Sequence, residues 1–252
     1  MPYLFFLAAL SWVAGFFGGL TGTGGIVIPP ILIEFFAVDP HLAMAMAQAS
    51  FIVPSALAVI LFARKGQFDW KVALPMAVSG CVCSFLSAAY LKPRLDARIL
   101  TICFAFCIML AGAVMLWNTD RVFVQSVTSR KRTVALIALG SGVGVFAGIT
   151  GSGSNSILVP AMVFMGLEVL SVLGACQLFA VLSSASGTVG NALNVSMDLV
   201  EIIWLVAGQI FGVWAGVRLA QRMDTTVLKR YVGGVCFLAG MFILGKAIYT
   251  ML

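Results

Sequence analysis

The chain is a succession of long apolar runs separated by short polar breaks. Residues 43–62, 70–90, 99–117, 172–193, 199–220 and 231–250 are each apolar, over about the 20 residues a helix needs to cross hydrocarbon. Polar and apolar positions do not alternate strictly within them, so helices are predicted rather than the strands of a barrel. Two further stretches, 3–37 and 133–167, combine a long apolar arm, a glycine-rich break and a shorter apolar arm. The breaks read Gly19-Leu-Thr-Gly-Thr-Gly24 and Gly148-Ile-Thr-Gly-Ser-Gly153. Glycines, hydroxyls and freed backbone groups at membrane depth are costly unless they are buried in protein or line a polar cavity. Paired interruptions at matching points of two halves point to the substrate site of a carrier.

The halves match at an offset of 129 residues. Gly15 meets Gly144, Thr21 and Gly22 meet Thr150 and Gly151, Gln48 meets Gln177, Ser55 meets Ser184, and Asp69 meets Asp198. After a slip of one residue, Asp96 meets Asp224 and Gly112 meets Gly240. Leucine matches are cheap in so apolar a chain, but matches of glutamine, aspartate and glycine motifs are not, and they identify an internal duplication. Residues 1–117 and 133–252 are then two transmembrane repeats joined by the polar stretch 118–132.

Composition agrees with a membrane protein. The chain is 62% hydrophobic and 10% charged, with a mean hydropathy of +1.10, where soluble domains carry about a quarter charged residues. The first apolar run lacks a basic start and runs into the glycine motif, so no cleavable signal is read. The net charge of +6 does not imply nucleic acid, because the basic residues occupy short loops that orient helices. If each interrupted stretch crossed the membrane once, Lys and Arg would divide 7 to 8 between the faces. If each is a hairpin entering and leaving on one face, the repeats are inverted. One face then holds 11 basic residues, among them Arg64, Lys65, Lys71, Arg130, Lys131 and Arg132, and the other only Lys92, Arg94, Arg98 and Lys246. The second division obeys the positive-inside bias. The expected fold is an all-α polytopic membrane protein of two inverted homologous repeats, each a glycine-turned broken-helix hairpin plus three spanning helices. Both termini would face outward and residues 118–132 the cytoplasm.

In that arrangement the two turns enter from opposite faces and meet near the midplane. Arms 26–36 and 157–166, if helical, direct unsatisfied N–H groups and the positive ends of their dipoles at the turns. Glycine lets a ligand approach the backbone, and hydroxyls add neutral donors. The expected substrate-binding set is Thr21, Gly22, Thr23, Gly24, Gly25, Gln48, Thr150, Gly151, Ser152, Gly153, Ser154, Asn155 and Gln177, with Ser156 beside it and Asn191 more remote. Such a set suits a small oxyanion, read by dipoles rather than a full positive charge. Gln48 and Gln177 serve equally well as hydrogen-bond glue between helices. No Lys, Arg, Asp or Glu lies in the middle of a span, so neither a fixed ion pair nor a proton relay is read. Asp69 and Asp198 read as helix caps, His41 as a surface residue, and the six cysteines as packing residues without the neighbours of a metal site.

The motifs Gly18-Gly-Leu-Thr-Gly-Thr-Gly-Gly25 and Gly148-Ile-Thr-Gly-Ser-Gly153, each followed by an apolar run with proline, resemble the sulfite exporter TauE/SafE family. The linker and the length fit as well, so the resemblance covers essentially the whole chain. It implies a multi-pass permease of the bacterial inner membrane that moves sulfite or an organosulfonate. It also implies a site at the two turns with Gln48 and Gln177. Ile26, and Ser154 with Asn155, stand where the family has glycines. Export, import of an organosulfur anion, and a cysteine-dependent sulfur relay remain open at this point. The expected partners are a small anion and the lipid bilayer, with a homodimer left open and no nucleic acid; no catalytic residue, cofactor or metal is expected.

Overall fold

The computed structural model describes residues 2–22, 24–26, 28–94, 129–151 and 155–249, with the single positions 109, 113 and 116. Helix α1 (Pro2–Thr21) is followed by a 3-10 turn (Gly24–Ile26) and the short helix α2 (Ile28–Phe36). Then come α3 (Pro40–Ser50), α4 (Ile52–Arg64) and α5 (Trp70–Leu86), the last extended by a π-turn at Ser87–Leu91 and a 3-10 turn at Lys92–Arg94. The second half holds α6 (Ser129–Thr150), the short α7 (Asn155–Phe164), α8 (Val169–Ala192), α9 (Leu199–Ala220) and α10 (Thr225–Tyr249). No strand occurs among the described residues. Among the described residues six stretches are long and apolar enough to cross a membrane: Leu4–Thr21, Pro40–Arg64, Trp70–Arg94, Lys131–Thr150, Val169–Ala192 and Leu199–Ala220. The chain is a polytopic all-α membrane protein.

Local chemistry sets the boundaries. Asp39 caps α3 by accepting from the His41 and Leu42 N–H groups, with Pro40 in the first turn, where its missing donor is not needed. Asp69 and Asp198 cap α5 and α9 in the same way, as expected for them. The break between α3 and α4 falls at Phe51, since Pro54 has no N–H to return to the Ser50 carbonyl. The expected run 99–117 lies outside the described residues except at positions 109, 113 and 116. Helix α6 starts at Ser129, inside the stretch read as linker, so Arg130, Lys131 and Arg132 form its first turn.

Glycines set the helix pairing. A Cβ on Gly15 would stand 2.7 Å from the Gln209 Cα, and one on Gly19 would meet the Val213 backbone, so α1 lies on α9 at backbone contact. A Cβ on Gly144 would stand 2.7 Å from the Gly80 Cα, and Gly140 and Gly148 meet Met76 and Ser84, so α6 lies on α5 likewise. In hydrocarbon, where apolar burial drives little, such close approach supplies the packing. Contacts advance together along both pairs, so α1 runs parallel to α9 and α6 parallel to α5. Gln209 bonds to Ser50 at the end of α3 and Gln221 to Leu61 of α4, which sets the α3–α4 pair parallel to α9. Ser84 bonds to Ser183 and Asn194 to Ala89, which sets α8 parallel to α5. The short link from Arg64 to Trp70 reverses the chain between α4 and α5.

Helix α8 runs through the middle, and its Phe179, Leu173 and Cys176 join Phe62, Met76, Leu158 and Met162 in the main core. A second cluster gathers Leu7, Ile28, Leu32, Met46 and Leu205 around α1, α2 and α3. The outer surface is apolar too, with Phe5, Val78, Val82, Ile203, Phe211 and Phe242 exposed. A wall of that kind faces lipid.

Candidate functional site

Both glycine breaks end a long helix by one device. Gly22 and Gly151 take φ values of +79° and +62°, the left-handed conformation glycine adopts at a helix C-terminus. The Gly22 N–H donates to the Gly18 carbonyl at 3.1 Å, and the Gly151 N–H to the Ala147 carbonyl at 3.0 Å. The Thr21 and Thr150 hydroxyls turn back on their own helices, donating to Phe17 O at 2.9 Å and Phe146 O at 2.7 Å.

Each closing carbonyl accepts a second bond from the other half. Gln177 Nε2 donates to Gly18 O at 3.0 Å, and Gln48 Nε2 donates to Ala147 O at 3.2 Å. The two bonds are counterparts at the offset of 129. Gln48 Nε2 also lies 3.3 Å from Ser84 Oγ and 3.4 Å from Ser183 O. Both glutamines are buried. Their amides therefore tie each glycine turn to the other half of the chain.

The Gly22 turn lies against Asn155. A Cβ on Gly22 would stand 3.4 Å from the Asn155 Cβ and 3.1 Å from Val159 Cγ2. Asn155 opens α7, is 4% exposed, and its Oδ1 has no hydrogen-bond partner among the described residues. Gly24 folds back on Gly18 and the Ala14 carbonyl, and Gly25 is buried. Gly151 meets the backbone of Met44 instead. Thr23, Ser152, Gly153 and Ser154 lie outside the described residues.

The two short arms are both helical, as expected, but they are not equivalent. Pro29 and Pro30 remove two donors from the first turn of α2. The first turn of α7, Asn155 to Leu158, keeps all its N–H groups, and Pro160 comes later. An oxyanion is better served at α7, where those donors and the dipole point one way.

Sequence reasoning counted Lys92 only as a loop charge on the minority face, but its side chain turns inward. Lys92 is 4% exposed, and its Nζ donates to Asn191 Oδ1 at 2.7 Å and His41 O at 3.2 Å. Asn191 Nδ2 donates to Gln48 Oε1 at 2.7 Å, so a bonded chain runs from Lys92 to the carbonyl that closes the Gly151 turn. His41 itself is on the surface, as expected. Cys81, Cys83 and Cys176 are free thiols, and Cys176 Sγ lies 3.8 Å from Met162 Sδ in the core. Among the described residues no group of three His, Cys, Asp or Glu could hold a metal.

Comparison with known proteins covers nearly the whole chain. The family model described as Sulfite exporter TauE/SafE matches residues 7–243. The chain is 24% identical over 269 residues to the "Probable membrane transporter protein YunE" of Bacillus subtilis, covering 97% of this chain and 98% of that one. It is 26% identical over 250 residues to a "Probable membrane transporter protein" of Xylella fastidiosa strain 9a5c, covering 93% and 92%. It is 25% identical over 240 residues to the "Probable membrane transporter protein YdhB" of Bacillus subtilis, covering 93% and 96%. No solved structure matches the chain.

Proposed function

We propose a function from one premise: the chain belongs to the sulfite exporter TauE/SafE family, and it is a multi-pass membrane transporter. Its cargo, in this proposal, is a small sulfur-containing oxyanion, sulfite or an organosulfonate. It is exported across a bacterial inner membrane by rocking one repeat against the other. The observation that carries the reading is Asn155, a buried amide whose oxygen has no partner among the described residues, set between the left-handed Gly22 and the N-terminal donors of α7. A half-turn about the terminal torsion presents its N–H groups to an anion. A helix N-terminus attracts charge by about 0.3–1 kcal/mol, rising to ~2 in partly buried sites, which holds cargo without trapping it. An anion leaving a negative-inside cell gains ~2.3 kcal/mol per charge per 100 mV.

The helix directions support inverted repeats. Helices α1, α4 and α9 run one way, and their counterparts α6, α8 and α5 run the other. Between α1 and the parallel α3–α4 the chain must return, and α2 is the return arm of a hairpin. Import through the same site is a second reading, favoured by the buried cation Lys92 lying at the end of α5 away from Arg64 and Lys71.

Proteoliposomes given a sulfite jump should show saturable current or tracer flux above that for chloride. Asn155→Ala should reduce it about 10- to 100-fold, the loss of one hydrogen bond to a charged ligand. No flux of sulfite, sulfoacetate or taurine would overturn the assignment.

A further inference from the structure

The halves match in backbone but not in polarity. Gln48 is surrounded by Asn191, Ser84 and Ser183. The positions that correspond around Gln177 are Phe62, Val213 and Pro54. The counterpart of Lys92 is Ala220, because the register slips by one residue between Asp69 and Asp96. Helix α5 holds one additional residue in that interval: the Lys92 N–H bonds to the Ser87 carbonyl, five residues back, closing the π-turn. Such a turn takes in one residue more than an α-turn and is frequent at functional sites. Here it leaves a lysine at a position as buried as Ala220.

Lys92 is a buried cation whose acceptors among the described residues are both neutral carbonyl oxygens. An ammonium has three N–H donors, and the described residues take up two of them. Asp39 is the carboxylate whose field reaches Lys92, but its Oδ1 is engaged in capping α3, and no ion pair joins the two. Burying a charge without a counter-charge is strongly unfavourable, and a mobile anion relieves it.

We infer that Lys92, positioned by Asn191 and Gln48, is a binding station for a small oxyanion at one mouth of the protein only. That mouth lies between the start of α3 and the ends of α5 and α8. The opposite mouth, with Ala220, Phe62 and Val213 at the corresponding positions, carries no such charge. Taking the bound anion to be cargo rests on the transport reading; its capture by Lys92 does not. The bonded chain from Lys92 through Asn191 and Gln48 to Ala147 also links the station to the Gly151 turn, so occupancy there bears on the turn.

The test uses two variants and two measurements. Lys92→Gln removes the charge, and Asn191→Asp supplies a fixed carboxylate in place of the anion. Thermal unfolding of the purified protein is followed with sulfite, sulfate and chloride. The wild type should gain several degrees with an oxyanion. Both variants should lose that gain, and Asn191→Asp should unfold no earlier than the wild type without anion. A full oxyanion shift retained in either folded variant overturns the station, as does a wild type that no anion stabilises. In vesicles of uniform orientation, Asn191→Asp should raise the half-saturation for sulfite about tenfold on the Lys92 face. On the other face it should stay within twofold. A wild type that shows the stability gain but no flux sinks the transport reading and leaves the station standing. Flux with unchanged half-saturation on both faces sinks the station and leaves transport standing.

Discussion

Gly22 and Gly151 share a left-handed backbone, yet a methyl group added to each meets different matter. At Gly22 it reaches Val159 Cγ2 at 3.1 Å and the Asn155 Cβ at 3.4 Å, side chains that can shift. At Gly151 it runs into the backbone of Met44, which cannot rotate away. A non-glycine residue in this conformation costs about 1–2 kcal/mol, and overpacking adds roughly 1–3 more. Gly22→Ala should therefore lose about 1–2 kcal/mol and Gly151→Ala about 3 or more, measured by unfolding in detergent. Equal losses would refute the assigned contacts. The glycine turns were legible in sequence because left-handed backbone has so few candidates. Lys92 was not, since nothing in its local sequence distinguishes an inward lysine from the loop charges Arg94 and Arg98; its burial depends on a π-turn and on Asn191, 99 residues away.

Two glycines on one helix separate packing from propensity. On α6, Gly144 touches the Gly80 backbone, whereas an added Cβ on Gly142 meets nothing. Gly144→Leu should abolish a monodisperse fold, since it would push α6 off α5. Gly142→Leu should keep the fold, and Gly142→Ala should leave stability unchanged or raise it by up to ~1 kcal/mol. Size-exclusion profiles and melting temperatures check the pair, and a tolerated Gly144→Leu would contradict the interface. Hydropathy placed the spans at 43–62, 70–90, 172–193 and 199–220, because apolar length is what the bilayer selects, whereas 231–250 falls in α10, which is not among the candidate spans. It could not place ends set by particular atoms. The Phe51 break follows from a missing Pro54 N–H, and the start of α6 runs into a basic stretch that reads as loop. The one-residue slip between the halves was visible in the sequence, but only its location within α5 identifies it as a π-turn.

At the scale of the whole molecule, opposed helix directions predict that matching loops lie on opposite faces. In a chain with its six cysteines replaced, Lys65→Cys and Ser196→Cys are both exposed, and an impermeant maleimide added to intact cells should label only Ser196→Cys. Labelling of both from one side would exclude the inverted arrangement. The inverted orientation is an expectation from the division of basic residues, since charge bias is a global property that needs no knowledge of packing. The pairing of α1 with α9, and of α6 with α5, was not legible, because each joins one half to the other, at 194 residues for Gly15 and Gln209 and 64 for Gly80 and Gly144. That interlock has a consequence for biogenesis. A ribosome adding roughly 5–20 residues per second finishes α1 some 10–40 seconds before α9, its partner, emerges. Throughout that interval the glycine stripe of α1 sits in the membrane without its mate. The nascent first half must be sheltered by the insertion machinery until the second arrives, which makes the rate of synthesis, as well as the finished sequence, a determinant of yield.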